Sequence, residues 1–122
     1  VLVQAAAGGV GSLALQLAKL LGAGRVIGLA STEAKRDAVR AHGADDAVDY
    51  AAADWPARVK ELTGGKGVDV VMEMSGGTTF GQSLGCLASF GRSVVYGNAG
   101  GEPARLDPMN LVWANQSVVG FN

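Results

Sequence analysis

The chain has 122 residues, of which 48% are hydrophobic, and its formal net charge is −1 at pH 7. This length and hydrophobic content suit one domain with a real core, and the 19 glycines follow no period, which excludes a collagen-like or low-complexity chain. The chain has no block of Lys and Arg, which argues against a nucleic-acid partner, and no apolar run near the roughly 18 residues of a membrane helix. The single cysteine, Cys86, excludes an internal disulfide and fits a reducing, cytoplasmic compartment.

Strand and helix signals alternate along the chain. The apolar runs predict six strands, at residues 1–5, 25–30, 47–50, 68–74, 93–96 and 117–121. The first helix is predicted at residues 9–21, and the second from a Ser31 or Thr32 cap through His42. A third helix follows an Asp54 cap, and a fourth follows the fourth strand, with Phe80, Leu84 and Leu87 at helical spacing. A fifth, short helix follows Asp107-Pro108. Single helices between strands imply parallel neighbours and right-handed crossovers. The sequence therefore predicts an α/β fold, a Rossmann-type doubly wound six-stranded parallel sheet with helices on both faces.

The first predicted strand runs into Ala6-Ala7-Gly8-Gly9-Val10-Gly11, where the first helix begins. This segment fits the G-x-G-x-x-G frame of dinucleotide-binding turns with alanine in place of the first glycine. Small residues let the backbone approach a pyrophosphate, and the N–H groups of a helix N-terminus point at the anion. No Lys-Ser/Thr pair follows the glycines, which argues against a kinase-type phosphate loop. The pattern predicts nucleotide binding, and its alternative is a tight turn that binds no ligand.

The end of the second predicted strand distinguishes between the two nicotinamide cofactors. An NAD site has Asp or Glu there to bind the ribose hydroxyls, whereas this strand ends without a carboxylate at Ser31. Glu33 is expected in the first turn of the next helix, where it favours the helix dipole. Ser31, Lys35 and Arg36 could instead bind and neutralise a 2′-phosphate, so we expect NADPH. The alternative is that Lys35 and Arg36 form a solvated helix face.

Four segments resemble the cofactor domain of medium-chain dehydrogenases/reductases, most closely their zinc-free quinone oxidoreductase branch. They are Ala6-Ala7-Gly8-Gly9-Val10-Gly11, Ala41-His42-Gly43-Ala44-Asp45, Gly67-Val68-Asp69-Val70-Val71 and Gly91-Arg92-Ser93-Val94-Val95. The likeness spans essentially the whole chain, and alanine at the first glycine position is typical of the quinone-reductase branch. It implies a cofactor site built from Ala7, Gly8, Gly9 and Val10 at the pyrophosphate, Ser31 and Lys35 at the 2′-phosphate, Tyr50 at the adenosine end, Ser75 in the loop after the fourth strand, and Gly97 and Asn98 near the nicotinamide. The alternatives are that Tyr50 only packs on the sheet edge and that Asn98 only stabilises a turn.

The resemblance implies NADPH-dependent hydride transfer to a small-molecule acceptor, either a quinone or the C=C bond of an α,β-unsaturated carbonyl compound. No residue of the chain is predicted to be catalytic. No metal site is predicted either, because Cys86 and His42 are single and far apart, and we interpret Asp69 as structural. Asn98-Ala99-Gly100 resembles a short-chain dehydrogenase signature, but the Tyr-x-x-x-Lys of those enzymes is missing. Three alternatives remain: a zinc-dependent alcohol dehydrogenase, an enoyl reductase domain and a non-catalytic NADPH-binding or scaffold module.

We expect residues 1–122 to form one NAD(P)-binding domain of a longer chain, because Val1 already lies in a predicted strand and no Met precedes it. The substrate-binding part would then lie elsewhere, and this domain alone would be inactive. The last predicted strand, from Ser117 to Phe121, is apolar and uncharged, which is a hazard at an open sheet edge. The resemblance implies that this edge pairs with its copy in a homodimer.

Overall fold

Six parallel strands form one sheet in a computed structural model that describes all of residues 1–122. The strands are β1 (Leu2–Val3), β2 (Ile27–Leu29), β3 (Asp46–Val48), β4 (Val68–Glu73), β5 (Leu87–Val95) and β6 (Ser117–Gly120). The helices between them are α1 (Gly9–Leu20), α2 (Glu33–Ala41), α3 (Trp55–Leu62), α4 (Gly77–Gly85) and α5 (Met109–Val112). The strand order is β3-β2-β1-β4-β5-β6, and every neighbouring pair is parallel. The predicted doubly wound α/β fold is confirmed.

Helices cover both faces of the sheet, and each face has its own apolar core. Leu2 belongs to a cluster that includes Trp55 and Val59 of α3, while its neighbour Val3 belongs to a cluster with Leu15 of α1 and Val39 of α2. Successive side chains of a strand point to opposite faces, so β1 must be apolar at both positions. Each of these six side chains is at most 1% exposed.

The region between α4 and β5 differs from the sequence prediction. Leu87 was expected on α4, but that helix ends at Gly85, with Cys86 as its C-terminal cap. Leu87 instead begins β5, pairs with Val68 and is buried in the core. Helical spacing alone placed Leu87 wrongly because a glycine weakens the helix there, and the pairing with β4 takes the residue into the sheet. β5 is therefore longer than the predicted strand at residues 93–96.

The helix starts follow the predicted caps in part. Of the two candidates before α2, Thr32 is the cap, and its hydroxyl accepts a hydrogen bond from the N–H of Lys35 at 3.2 Å. Before α5 the N-terminal cap is Pro108 rather than the predicted Asp107, although the carboxylate of Asp107 accepts a hydrogen bond from the N–H of Met109 at 3.0 Å. Asp54 is the N-terminal cap of α3, as predicted, but its side chain makes no capping hydrogen bond. The hydroxyl of Ser31 is left without a capping role.

The helix α1 packs on the sheet through its small residues rather than through its leucines. Gly11 and Leu15 are its buried residues. Leu13, Leu17, Leu20 and Leu21, which the sequence places on one face, are between 54% and 84% exposed. No helix of the chain has both the length and the apolar character needed to cross a bilayer.

Candidate nucleotide-binding site

The strand order reverses between β1 and β4, and the loops after these two strands separate there. The helix α1 follows β1 and packs with the core of one face, whereas α4 follows β4 and contacts α3 on the other face. In open parallel sheets, ligands bind in the crevice that such a reversal leaves at the carboxyl ends of the strands. The predicted site residues all belong to loops or helix starts that follow strands at this edge.

The turn between β1 and α1 brings the backbone of the helix start to the edge of the sheet. Ala5 adopts a left-handed conformation with φ of +46°, and its carbonyl accepts the N–H of Gly8 at 2.9 Å. Gly8 is the N-terminal cap and provides no side chain to the first turn. The N–H groups of Gly9 and Val10, which have no acceptor within the helix, therefore begin an exposed helix N-terminus. Such a terminus attracts anions.

Gly11 allows α1 to approach this turn closely. It is buried, and a Cβ atom at this position would overlap the carbonyl of Ala5 and lie 2.8 Å from the Cα of Ala6. Any larger residue would push the helix off the end of β1. This is the role of the last glycine in dinucleotide-binding turns.

A cavity of about 250 Å³ lies between this turn, the end of β2 and the segment after β3. It is lined by Ala5, Ala7, Gly8, Leu29, Ala30, Ser31, Lys35 and Tyr50. Five of the ten predicted cofactor residues therefore meet around one space, although they lie as far apart in the sequence as Ala7 and Tyr50. Gly9 and Val10 directly follow Gly8 at the start of α1.

Lys35 is the exposed cation of this cavity. It forms no ion pair, and it lies in the first turn of α2, where a positive charge opposes the helix dipole. Arg36 is different: its guanidinium lies 3.3 Å from a carboxylate oxygen of Asp49, bonds to the carbonyl of Ala30, and has a side chain that is only 15% exposed. The structure thus assigns Arg36 to internal pairing and leaves Lys35 available to an anion.

A second, larger cavity of about 750 Å³ adjoins the first, since both are lined by Ala5 and Tyr50. Its other lining residues are Met74, Ser75, Gly76, Gly77, Thr78, Thr79, Ala99, Gly100, Glu102 and Pro103. Ser75 is the predicted site residue among them. The two cavities together form a groove along the carboxyl ends of the strands, with a charged end at Lys35.

Gly97 and Asn98 support the wall of the larger cavity and do not line it. A Cβ atom on Gly97 would lie 3.3 Å from the Cβ of Met74, and Asn98 packs so closely on Gly76 that a side chain there would overlap it. The loop after β5 is bonded to the loop after β4, through Ala99 N–H to Met74 at 2.8 Å and Gly100 N–H to Ser75 at 3.0 Å. Both predicted residues thus lie one layer behind the cavity surface.

Several residues of the groove have no signal in the sequence. Ala5 lines both cavities, but nothing in an alanine predicts a left-handed turn. Thr78, Thr79, Glu102 and Pro103 reach the larger cavity only because two distant loops meet there. Gly76 and Gly77 both have positive φ angles, which glycine adopts more readily than other residues.

The remaining titratable candidates lie outside the groove. Cys86 is fully buried, and burial raises the pKa of its thiol to about 11. His42 caps α2 at an exposed position, and Asp69 is exposed beside Lys66. The His, Cys, Asp and Glu side chains form no group of three or more that could hold a metal ion.

Comparisons with a family model, with curated proteins and with solved structures all indicate the same family. A family model described as zinc-binding dehydrogenase matches residues 9–122. A 2-haloacrylate reductase from Burkholderia sp is 43% identical over 112 residues, which are 92% of this chain and 32% of that protein.

Solved structures with the same fold include Escherichia coli quinone oxidoreductase complexed with NADPH, with a TM-score of 0.89 and 38% identity over 99% of this chain and 37% of that one. An NAD-dependent alcohol dehydrogenase superposes with a TM-score of 0.90 and 39% identity over 98% of this chain and 34% of that one. The chain thus spans about a third of the length of these proteins.

Proposed function

Because the chain belongs to the zinc-binding dehydrogenase family of medium-chain dehydrogenases/reductases, we propose that it is the NADPH-binding domain of an oxidoreductase. The observation that carries this proposal is the cavity in which Gly8, Ser31, Lys35 and Tyr50 meet. Its size and charge suit the adenosine end of a dinucleotide with a 2′-phosphate. No carboxylate lines this cavity, which favours NADPH over NADH.

The residues of the groove divide the binding of NADPH between them. The N–H groups of Gly9 and Val10 would hold the pyrophosphate, and Ser31 and Lys35 would hold the 2′-phosphate. Tyr50 lies where the two cavities join and would contact the adenosine. The larger cavity, with Ser75 in its wall, would receive the nicotinamide half, and Gly97 and Asn98 would hold that wall in place.

The proposed reaction is hydride transfer to a quinone or to the C=C bond of an α,β-unsaturated carbonyl compound, by a zinc-free enzyme. NADPH, when bound, supplies the hydride. The similarity to a 2-haloacrylate reductase and to a quinone oxidoreductase supports this acceptor class. This chain would bind and orient the cofactor, with the acceptor site completed by a further domain, so we expect no turnover by the chain alone. The buried, unpaired Cys86 suits a cytoplasmic location for this chemistry.

The proposal includes a homodimer formed through β6. This strand is the open edge of the sheet, and Val119 and the following Phe121 are 45% and 70% exposed. An apolar edge of this kind is a template for another strand. Pairing with a second copy would extend the sheet across a two-fold axis.

Calorimetric titration of the chain with NADPH tests the proposed site through Gly8. Asn and Asp both cap helices well, so Gly8→Asn and Gly8→Asp would retain the start of α1 and meet the same carbonyl of Ala5, 3.2 Å from the new Cβ. Of the two variants, only Gly8→Asp also adds a negative charge beside the pyrophosphate. We expect Gly8→Asp to bind NADPH at least about tenfold more weakly than Gly8→Asn. Equal affinities of the two variants would contradict the proposed position of the pyrophosphate.

A further inference from the structure

A buried polar pair lies beneath the groove, at the carboxyl ends of the two central strands. Gln4 follows β1 and Glu73 ends β4, and their side chains are 1% and 0% exposed. The amide nitrogen of Gln4 donates to a carboxylate oxygen of Glu73 and, at 2.6 Å, to the hydroxyl of Ser83. Burial of an amide and a carboxyl group is costly unless their polar atoms are satisfied, so this pair requires a reason.

The remaining oxygen atoms of the pair bind the backbone of the turn after β4. The amide oxygen of Gln4 accepts the N–H groups of Met74 and Ser75, each at 3.0 Å. The other carboxylate oxygen of Glu73 accepts the N–H groups of Ser75 and Gly76 at 2.8 and 2.9 Å. Three successive backbone N–H groups are therefore held from below by two side chains that come from different strands.

The same turn forms the wall of the larger cavity. Met74, Ser75 and Gly76 line that cavity, and the carbonyls of Met74 and Ser75 accept the N–H groups of Ala99 and Gly100 from the opposite loop. Gly76 turns the chain with φ of +74° immediately before α4. The position of both loops thus depends on the three N–H groups that the pair holds.

We propose that Gln4 and Glu73 are positioning residues for the nicotinamide half of the cofactor. Neither side chain lines either cavity, so both act through the backbone of Met74, Ser75 and Gly76. This inference rests on the proposed function, because it assigns the larger cavity to the nicotinamide half. It goes beyond that function by making cofactor affinity depend on two buried residues that do not contact the cofactor.

The pattern of donors and acceptors allows a swap that tests the pair as a unit. In Glu73→Gln, a new amide group faces the amide nitrogen of Gln4, and in Gln4→Glu, two carboxylates face each other. The double variant Gln4→Glu/Glu73→Gln restores one amide and one carboxylate. In the double variant, an oxygen atom of each new side chain still accepts the backbone N–H groups. The hydroxyl of Ser83, which now accepts a hydrogen bond from Gln4, can donate one to the new carboxylate. The swap changes neither the volume nor the number of polar groups.

Two probes separate the two ends of the groove: NADPH fills both cavities, whereas adenosine 2′,5′-bisphosphate fills only the end with Ser31 and Lys35. Calorimetry at a temperature where each variant is folded should show that both single variants bind NADPH about tenfold more weakly and bind the bisphosphate as the wild type does. The swapped double variant should regain NADPH affinity to within about threefold of the wild type.

Ser83→Ala tests the same network in a milder form, because it removes one hydrogen-bond acceptor without adding a charge. We expect this variant to bind NADPH about threefold more weakly than the wild type.

The possible outcomes separate this inference from the function on which it rests. Full NADPH affinity in the single variants, or in Ser83→Ala if the single variants do not fold, would overturn the positioning role. Equal losses for NADPH and the bisphosphate would also overturn it, since they would indicate a general structural role. Failure of the wild type to bind either probe would overturn the proposed function, and the inference with it.

Discussion

At the scale of the residue, two neighbouring cations of α2 have different tasks. The sequence presents Lys35 and Arg36 alike, as candidates for a 2′-phosphate or as a solvated helix face. The structure separates them, because Arg36 is engaged by Asp49 and by the carbonyl of Ala30, whereas Lys35 forms no ion pair at the cavity. A cation in a first helical turn costs a little stability, and such a local conflict is expected at a functional position.

The assignment of Lys35 predicts a change in cofactor preference. A charged hydrogen bond to a phosphate contributes about 1.5–3 kcal/mol, so Lys35→Gln should weaken NADPH binding by about tenfold or more and leave NADH binding unchanged. Arg40→Gln is the control, because Arg40 is an exposed cation in the last turn of the same helix. Calorimetric titration of each variant with both cofactors measures the preference. An unchanged ratio of the two affinities in Lys35→Gln would remove Lys35 from the phosphate site.

At the scale of the element, the sequence specified the number, type and order of elements but not all of their contacts. The period of the leucines in α1 predicts a helix, yet it cannot show that the helix packs through Gly11 and Leu15 and leaves Leu13 and Leu17 exposed. That choice depends on how closely a backbone can approach the turn at Ala5, which only the assembled turn defines.

The open edge of β6 permits a direct test of the proposed dimer. The N–H of Phe121 bonds to Val95 of β5, so in an alternating strand the N–H of Gly120 points away from β5, toward a second copy. Gly120→Pro removes that donor without removing a bond to β5, and no atom lies within 4 Å of a Cβ at this position. Sedimentation equilibrium should show a dimer for the wild type and for Gly120→Ala, and a weakened one for Gly120→Pro. A monomeric wild type at high concentration would contradict pairing through β6.

At the scale of the whole molecule, the sequence predicted the fold and five of the eight residues that line the smaller cavity. Local patterns sufficed for Gly8 and Ser31, because a strand followed by a turn and a helix defines where both residues lie. Local patterns did not suffice for the hydrogen-bond network of Gln4 and Glu73, because these two residues lie 69 positions apart in the sequence. In the sequence these two residues are isolated polar groups at strand ends. Their chemistry appears only when β1 and β4 become neighbours at the reversal of strand order.

The central claim is that NADPH binds along the carboxyl ends of the strands. Because the chain has only 122 residues, NMR can map the residues that contact the cofactor directly. Titration of the 15N-labelled chain with NADPH should shift the backbone amide signals of Gly9, Val10, Ser31, Lys35 and Ser75. The clearest competing location is a cavity of about 600 Å³ that is lined by Lys60, Lys66 and Arg105 among others. Shifts confined to that cavity, or none at saturating NADPH, would contradict the account.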